Sequence, residues 1–209
     1  MKRAVAMVGV GLAVLAAAGC SGESDGEAIP IPERTSSISS NHSRLPHSGA
    51  PAVTDPLPES VVPDDPCEVL TPDQIENLLG DEASVGKRTD LAELGPGCDW
   101  SNQETLGGFL VSFDVVSRDG LSAQYANTKP QVQVFRELPS VGGFPAVAYK
   151  DSESSYRCTV AVGLADEYSV ITTVSLSIEK QAEGVDPCAP SEQVSEIVVE
   201  NLKAKLGGR

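Results

Sequence analysis

The chain has 209 residues, with 30 Asp and Glu against 15 Lys and Arg, five Cys and a net charge of −15. That length suits one domain, or one domain with a tail, and the 40% hydrophobic fraction is ordinary for a chain that buries a core. The acidity excludes an electrostatic grip on nucleic acid or on an anionic membrane surface, both of which need clustered basic residues.

Lys2 and Arg3 open the chain, and Ala4 to Ala18 follow without one charged side chain. Fifteen apolar residues make a helix of about 22 Å, short of the ~30 Å hydrocarbon core, so the run reads as a signal peptide over residues 1–19. It ends in Ala17-Ala18-Gly19-Cys20, which resembles the bacterial lipobox. In that motif the cysteine receives a lipid, palmitate among its acyl chains, and becomes the mature N-terminus. The alternative is an ordinary secretory signal that leaves Cys20 a free thiol. Under the lipobox reading the only hold on the membrane is the anchor, on the outer face of the cell membrane.

Residues 21–63 contain nine Ser, seven Pro, three Gly and no aromatic residue. Such a composition predicts a disordered tether, because it buries too little surface to offset the entropy of ordering. With the lipidated Cys20 it spans 20–63. Both histidines, His42 and His47, fall inside it and read as solvated tether residues, not as metal ligands.

Residues 64–209 are then a single extracytoplasmic domain, itself carrying 24 acidic against 11 basic residues. Thr71-Pro72-Asp73-Gln74 has the form of a capping box with Pro in the first turn, and Gly80 ends the short helix it starts. Gly108 to Val116 and Gln131 to Leu138 read as strands. So do Tyr156 to Leu164 and Tyr168 to Ile178, whose alternation is the strongest in the chain. Ala165-Asp166-Glu167 joins the last two as an antiparallel hairpin. Asp119 to Thr128 fits a short helix, with Leu121 and Tyr125 four apart. From Ser191 to Leu206, Val194, Ile197, Val198, Asn201, Leu202 and Leu206 fall at helical spacing. The order predicts α+β: an antiparallel sheet with N- and C-terminal helices on one face and an open second face.

Cys67, Cys98, Cys158 and Cys188 remain after Cys20. In an exported domain an even count reads as two disulfides, and four cysteines allow three pairings. Cys67 and Cys188 each follow Asp-Pro just before a helix, whereas Cys98 and Cys158 lie in or beside strands. The spacing therefore favours Cys67–Cys98 and Cys158–Cys188, each staple contributing roughly 3–4 kcal/mol by chain entropy. A zinc site is the rival reading, without a CxxC pair or a nearby His to support it.

The same residues carry a resemblance. Asp65-Pro66-Cys67-Glu68-Val69-Leu70-Thr71-Pro72, Cys98-Asp99-Trp100, Gly143-Phe144-Pro145-Ala146-Val147-Ala148, Cys158 in a strand and the second Asp-Pro-Cys stand in a familiar order. Together they resemble the actinobacterial lipoproteins grouped as domain-of-unknown-function family 3558. The resemblance implies an anchored extracytoplasmic domain and supplies no catalytic residue.

Residues 64–209 hold no His, which excludes a Ser-His-Asp or Cys-His hydrolase and the common His-built zinc sites from that stretch. Gly107-Gly108 and Gly142-Gly143 lack the phosphate-loop pattern and read as a strand entry and a turn. The acidic doublets Asp64-Asp65, Asp81-Glu82 and Asp166-Glu167 read as solvated charge, and Trp100 as core. No cofactor, metal or catalytic residue is predicted. Two classes survive: a binding or sensing module for an unknown envelope molecule or partner protein, and a carboxylate-dependent enzyme acting on envelope glycan. The first predicts a site between the sheet and its helices, taking a neutral, apolar or cationic ligand or a protein with a basic face.

Overall fold

The computed structural model describes residues 44–207. The apolar run of residues 4–18, Cys20 and His42 lie outside the described residues.

The seven strands are β1 (Lys87–Arg88), β2 (Gly97–Ser101), β3 (Gly108–Asp114), β4 (Val134–Val141), β5 (Phe144–Lys150), β6 (Arg157–Ala165) and β7 (Tyr168–Ser175). They form one sheet in the order β1-β2-β3-β7-β6-β5-β4. Every pairing is antiparallel. The helices are α1 (Pro72–Leu79), α2 (Leu121–Ala123, running into a π-helical turn Gln124–Thr128), α3 (Ile178–Ala182) and α4 (Cys188–Gly207). Among the described residues no helix is long and apolar enough to cross a membrane.

Local chemistry accounts for most boundaries. The Thr71 hydroxyl accepts from Gln74 N–H, and the Gln74 side chain accepts from Thr71 N–H. Gly80 closes α1 at φ 86°. The β4–β5 hairpin turns on Gly142 and Gly143, both at positive φ, the combination a tight hairpin of this type requires. Ala165 pairs with Tyr168 across the Asp166-Glu167 turn. Two expectations shift. The alternation of residues 168–178 ends at Ser175, because the Ser177 hydroxyl accepts from Lys180 N–H and starts α3. The strand predicted over 131–138 begins at Val134 and runs to Val141.

The first face carries the main core. Trp100, Phe109, Val111, Val160 and Val170 meet Val194, Val198, Val199 and Leu202 of α4, with Ile75, Leu78 and Leu79 of α1 packed at the side. Helices α1 and α4 are joined directly: Asn201 Nδ2 donates to Gln74 Oε1 and to the Val69 carbonyl, both at 2.8 Å.

The second face is not open over its centre. Between mid-sheet β3 and edge strand β4 the chain forms α2, whose Leu121 and the following Tyr125 pack on Val147, Ala161 and Ile171.

Residues 44–63 also depart from the expected tether. Val61 is fully buried and Leu57 nearly so. Leu57 N–H donates to the Leu164 carbonyl at 2.9 Å, and the Tyr168 hydroxyl donates to the Leu57 carbonyl at 2.7 Å. His47 is pinned rather than solvated: its N–H donates to Ser122, and its Nε2 lies 3.7 Å from Asp119. The packed chain thus starts well before Asp64. The physical reason is that Val53 and Leu57 reach the β6–β7 hairpin and Val61 reaches α4, all more than 100 positions away by sequence number.

Candidate functional site: a groove between the sheet and its helices

The two disulfides set the frame. Cys67 bonds Cys98 and Cys158 bonds Cys188, with Cα separations of 5.1 and 4.9 Å. The two Asp-Pro-Cys motifs are one local structure used twice. Asp65 Oδ1 accepts from Cys67 N–H, and Asp186 Oδ1 from Cys188 N–H, so each aspartate aims its cysteine at the sheet. One staple ties the chain before α1 to β2, and the other ties the start of α4 to β6.

Between these staples, at one end of β3 and β7, lies a groove of about 550 Å³. Its lining includes Phe109, Val174, Leu176 and Val194, with Leu78 and Leu79 of α1 on one side. Strand alternation places Phe109 and Val174 as a direct cross-strand pair on the helix-bearing face. The groove lies between the sheet and its helices.

The loop at its mouth is built by one residue that the sequence reading did not single out. Buried Asn102 accepts from Glu104 and Thr105 N–H through Oδ1 and donates through Nδ2 to the Leu79 carbonyl. It therefore caps the C-terminal end of α1 and folds residues 102–107 in one stroke. The loop holds Leu106 at φ 59° and leaves it 63% exposed. A leucine in the left-handed region costs on the order of 1 kcal/mol or more, and such strain persists where the surroundings over-determine it. Ile178, 61% exposed, stands beside it, because Ile178 N–H donates to the Thr105 carbonyl. Both are chain neighbours of lining residues, Leu106 of Thr105 and Gly107, and Ile178 of Ser177 and Glu179. The only sequence signal for Asn102 was its place between a strand and the Gly107-Gly108 pair.

Electrically the groove is balanced: Glu179 and Lys180 are its two charged lining residues. Lys180 Nζ sits 2.9 Å from Glu183, and that hydrogen bond holds its ammonium charged. The chemistry on offer is apolar contact with a polar rim of Ser175, Ser177 and Gln193.

Other singled-out residues fall elsewhere. Trp100 is buried core, its ring 5.2 Å from Phe109. Asp166 accepts from Val53 N–H and so helps pin the N-terminal segment. Asp65 and Asp81 border one cleft on α1, and Asp166-Glu167 lies apart from them in the β6–β7 turn. Among the described residues no group of three His, Cys, Asp or Glu is arranged to hold a metal ion.

No curated protein and no solved structure matches the chain. A family model described as a protein of unknown function, DUF3558, matches residues 15–201. That span takes in both disulfides, the whole sheet and most of α4, and the chain therefore belongs to family DUF3558.

Proposed function

We propose that this is an extracytoplasmic lipoprotein, anchored through Cys20, whose folded part is a non-catalytic binding or sensing module for a cell-envelope ligand or partner protein. The occupant of the groove is a neutral, largely apolar molecule or segment. The observation that supports this most is the groove itself: an apolar floor and balanced charge. Its volume is that of an ordinary small-molecule site. The strands supply the floor and α1, α3 and α4 the walls, all elements fixed by the disulfides or the sheet, so the site is preformed and binding needs little reordering.

The test is native mass spectrometry of the full-length protein extracted from its own envelope, compared with an Ala189→Trp variant. Ala189 is exposed on the first turn of α4 at the groove, so the indole occupies ligand space without disturbing the core. The wild type should carry a co-purifying mass that the variant loses at unchanged melting temperature. Hydrolysis of envelope glycan by the purified protein, abolished by one carboxylate substitution that leaves it folded, would overturn the reading in favour of a carboxylate-dependent enzyme.

A further inference from the structure

A second cleft lies on the other side of α1, over the Cys67–Cys98 disulfide. It encloses about 760 Å³ between α1 and the loop Gly80–Arg88, with Leu70, Ile75 and Trp100 among its apolar lining. At its edge Val85 is 92% exposed, the most exposed large apolar side chain of the described residues. Gly86 lets the loop close on the floor: a β-carbon there would stand 2.6 Å from Trp100 Nε1 and 2.8 Å from Cys98 Sγ.

The rim is what separates this cleft from the groove. Asp65, Glu68, Glu76 and Asp81 line it, against Arg88 alone. Arg88 is already engaged, its Nε with Asp90 and its Nη1 with the Asp64 carbonyl. Glu68, Glu76 and Asp81 are exposed and form no ion pair among the described residues. The chain's general acidity does not account for this. Glu179 has Lys180 beside it in the groove and Asp55 has Lys203 under the β4–β5 turn, while Glu68 also borders the hollow beside α4 that holds Lys205. With Glu68 shared in this way, Asp65, Glu76 and Asp81 still face the cleft against Arg88 alone.

The acids also have an arrangement. Asp65 and Glu68 precede α1, while Glu76 lies in its last turn and Asp81 follows it. The eight residues of α1, about 12 Å of helix, lie between Glu68 and Asp81, with the apolar floor alongside. An extended peptide covers that span in about four residues.

We infer that this cleft is the docking site for a basic peptide segment of a partner protein, carrying Lys or Arg at positions i and about i+4 with an apolar side chain between them. The apolar side chain sits on Ile75 and Val85, and the two cations meet the acid pairs at either end of α1. This site is separate from the groove and does not depend on what the groove binds.

The experiment is isothermal titration calorimetry of the full-length protein with a blocked synthetic peptide, Lys-Ala-Leu-Ala-Lys. The fluorescence of Trp100, the single tryptophan of the chain, locates the binding. The peptide should bind, weaken with added salt and perturb Trp100 fluorescence. A triple variant Glu68→Gln, Glu76→Gln, Asp81→Asn should bind about tenfold more weakly, the sum of three exposed ion pairs. Val85→Ser should weaken binding further, and neither variant should shift the melting temperature, because all four side chains are exposed. The Glu-Ala-Leu-Ala-Glu peptide should not bind. Absent binding of the basic peptide, equal binding by the triple variant, or equal binding of the acidic peptide would each overturn the assignment.

Discussion

Asp114 shows what burial does to a single side chain. It is fully buried at the end of β3, where Oδ1 accepts from Ser117 N–H and Oδ2 has no partner. Desolvation raises its pKa above the usual 3.8, nearby Asp119 adds to this, and the hydrogen bonds from Ser117 oppose it. Because the folded-state value is the higher one, the native protein binds more protons than the unfolded chain between the two values. Stability from this group is therefore present below the ordinary carboxylate range and is lost as pH rises through the raised value. Asp114→Asn should melt at a higher temperature than wild type at pH 7, and the gap should close below about pH 4. A gap that widens on acidification would contradict the assignment. Gly86 is a steric case. Its absent side chain is what allows contact with Trp100 and Cys98, so Gly86→Ala should cost about 1–3 kcal/mol by overpacking. Urea unfolding monitored by Trp100 fluorescence would read that loss directly.

At the scale of elements, stability is concentrated in a few joints. Each disulfide closes a loop of about 30 residues, and removal of either pair as a double Cys→Ala change should cost roughly 3–4 kcal/mol in denaturant unfolding. A change under 1 kcal/mol would show that the helices hold their positions without the staples. The joint between α1 and α4 is polar. Asn201 falls on the apolar stripe of α4 in the sequence, and its reason appears only in the fold, where it satisfies both the Val69 carbonyl and the capping-box Gln74. Asn201→Leu removes the donor to the Val69 carbonyl, while Gln74 Oε1 keeps only its bond from Thr71 N–H, and should cost about 1–3 kcal/mol despite improving the apolar periodicity of the helix. If thermal melts showed that variant to be more stable, the joint would be incidental. The sheet's outer strand β4 carries Arg136, Glu137 and Pro139, residues that discourage another strand from pairing there. The groove and the cleft both lie beside α1.

For the molecule as a whole, the proposed anchor makes a simple demand: Cys20→Ser should release the protein from the cell into the medium, and its retention in the membrane fraction would count against lipid attachment. The length of any tether is set by where packing begins, and that is well before Asp64, since Leu57 and Val61 are buried. Much of the fold was legible in the sequence because its causes are local. The capping box and Gly80 delimit α1 within nine residues, the alternation of β6 and β7 exposes their shared face, and the repeated Asp-Pro-Cys turns pointed to the disulfide pairing. Strand β5 was harder to see. Ala146 and Ala148 face the main core while Val147 faces α2, so both sides are apolar and no alternation shows. What only the tertiary structure decided depends on partners far apart in the chain. The burial of residues 53–61, the covering of the second face by α2, the Asn102 pin and the two sites flanking α1 all arise from contacts between distant segments. Sequence by itself determined the α+β class, the two staples and the acidic character. The position of the groove's mouth and the grouping of four carboxylates around one cleft required the chain to be folded, because periodicity reports which face a residue takes but not what lies across from it.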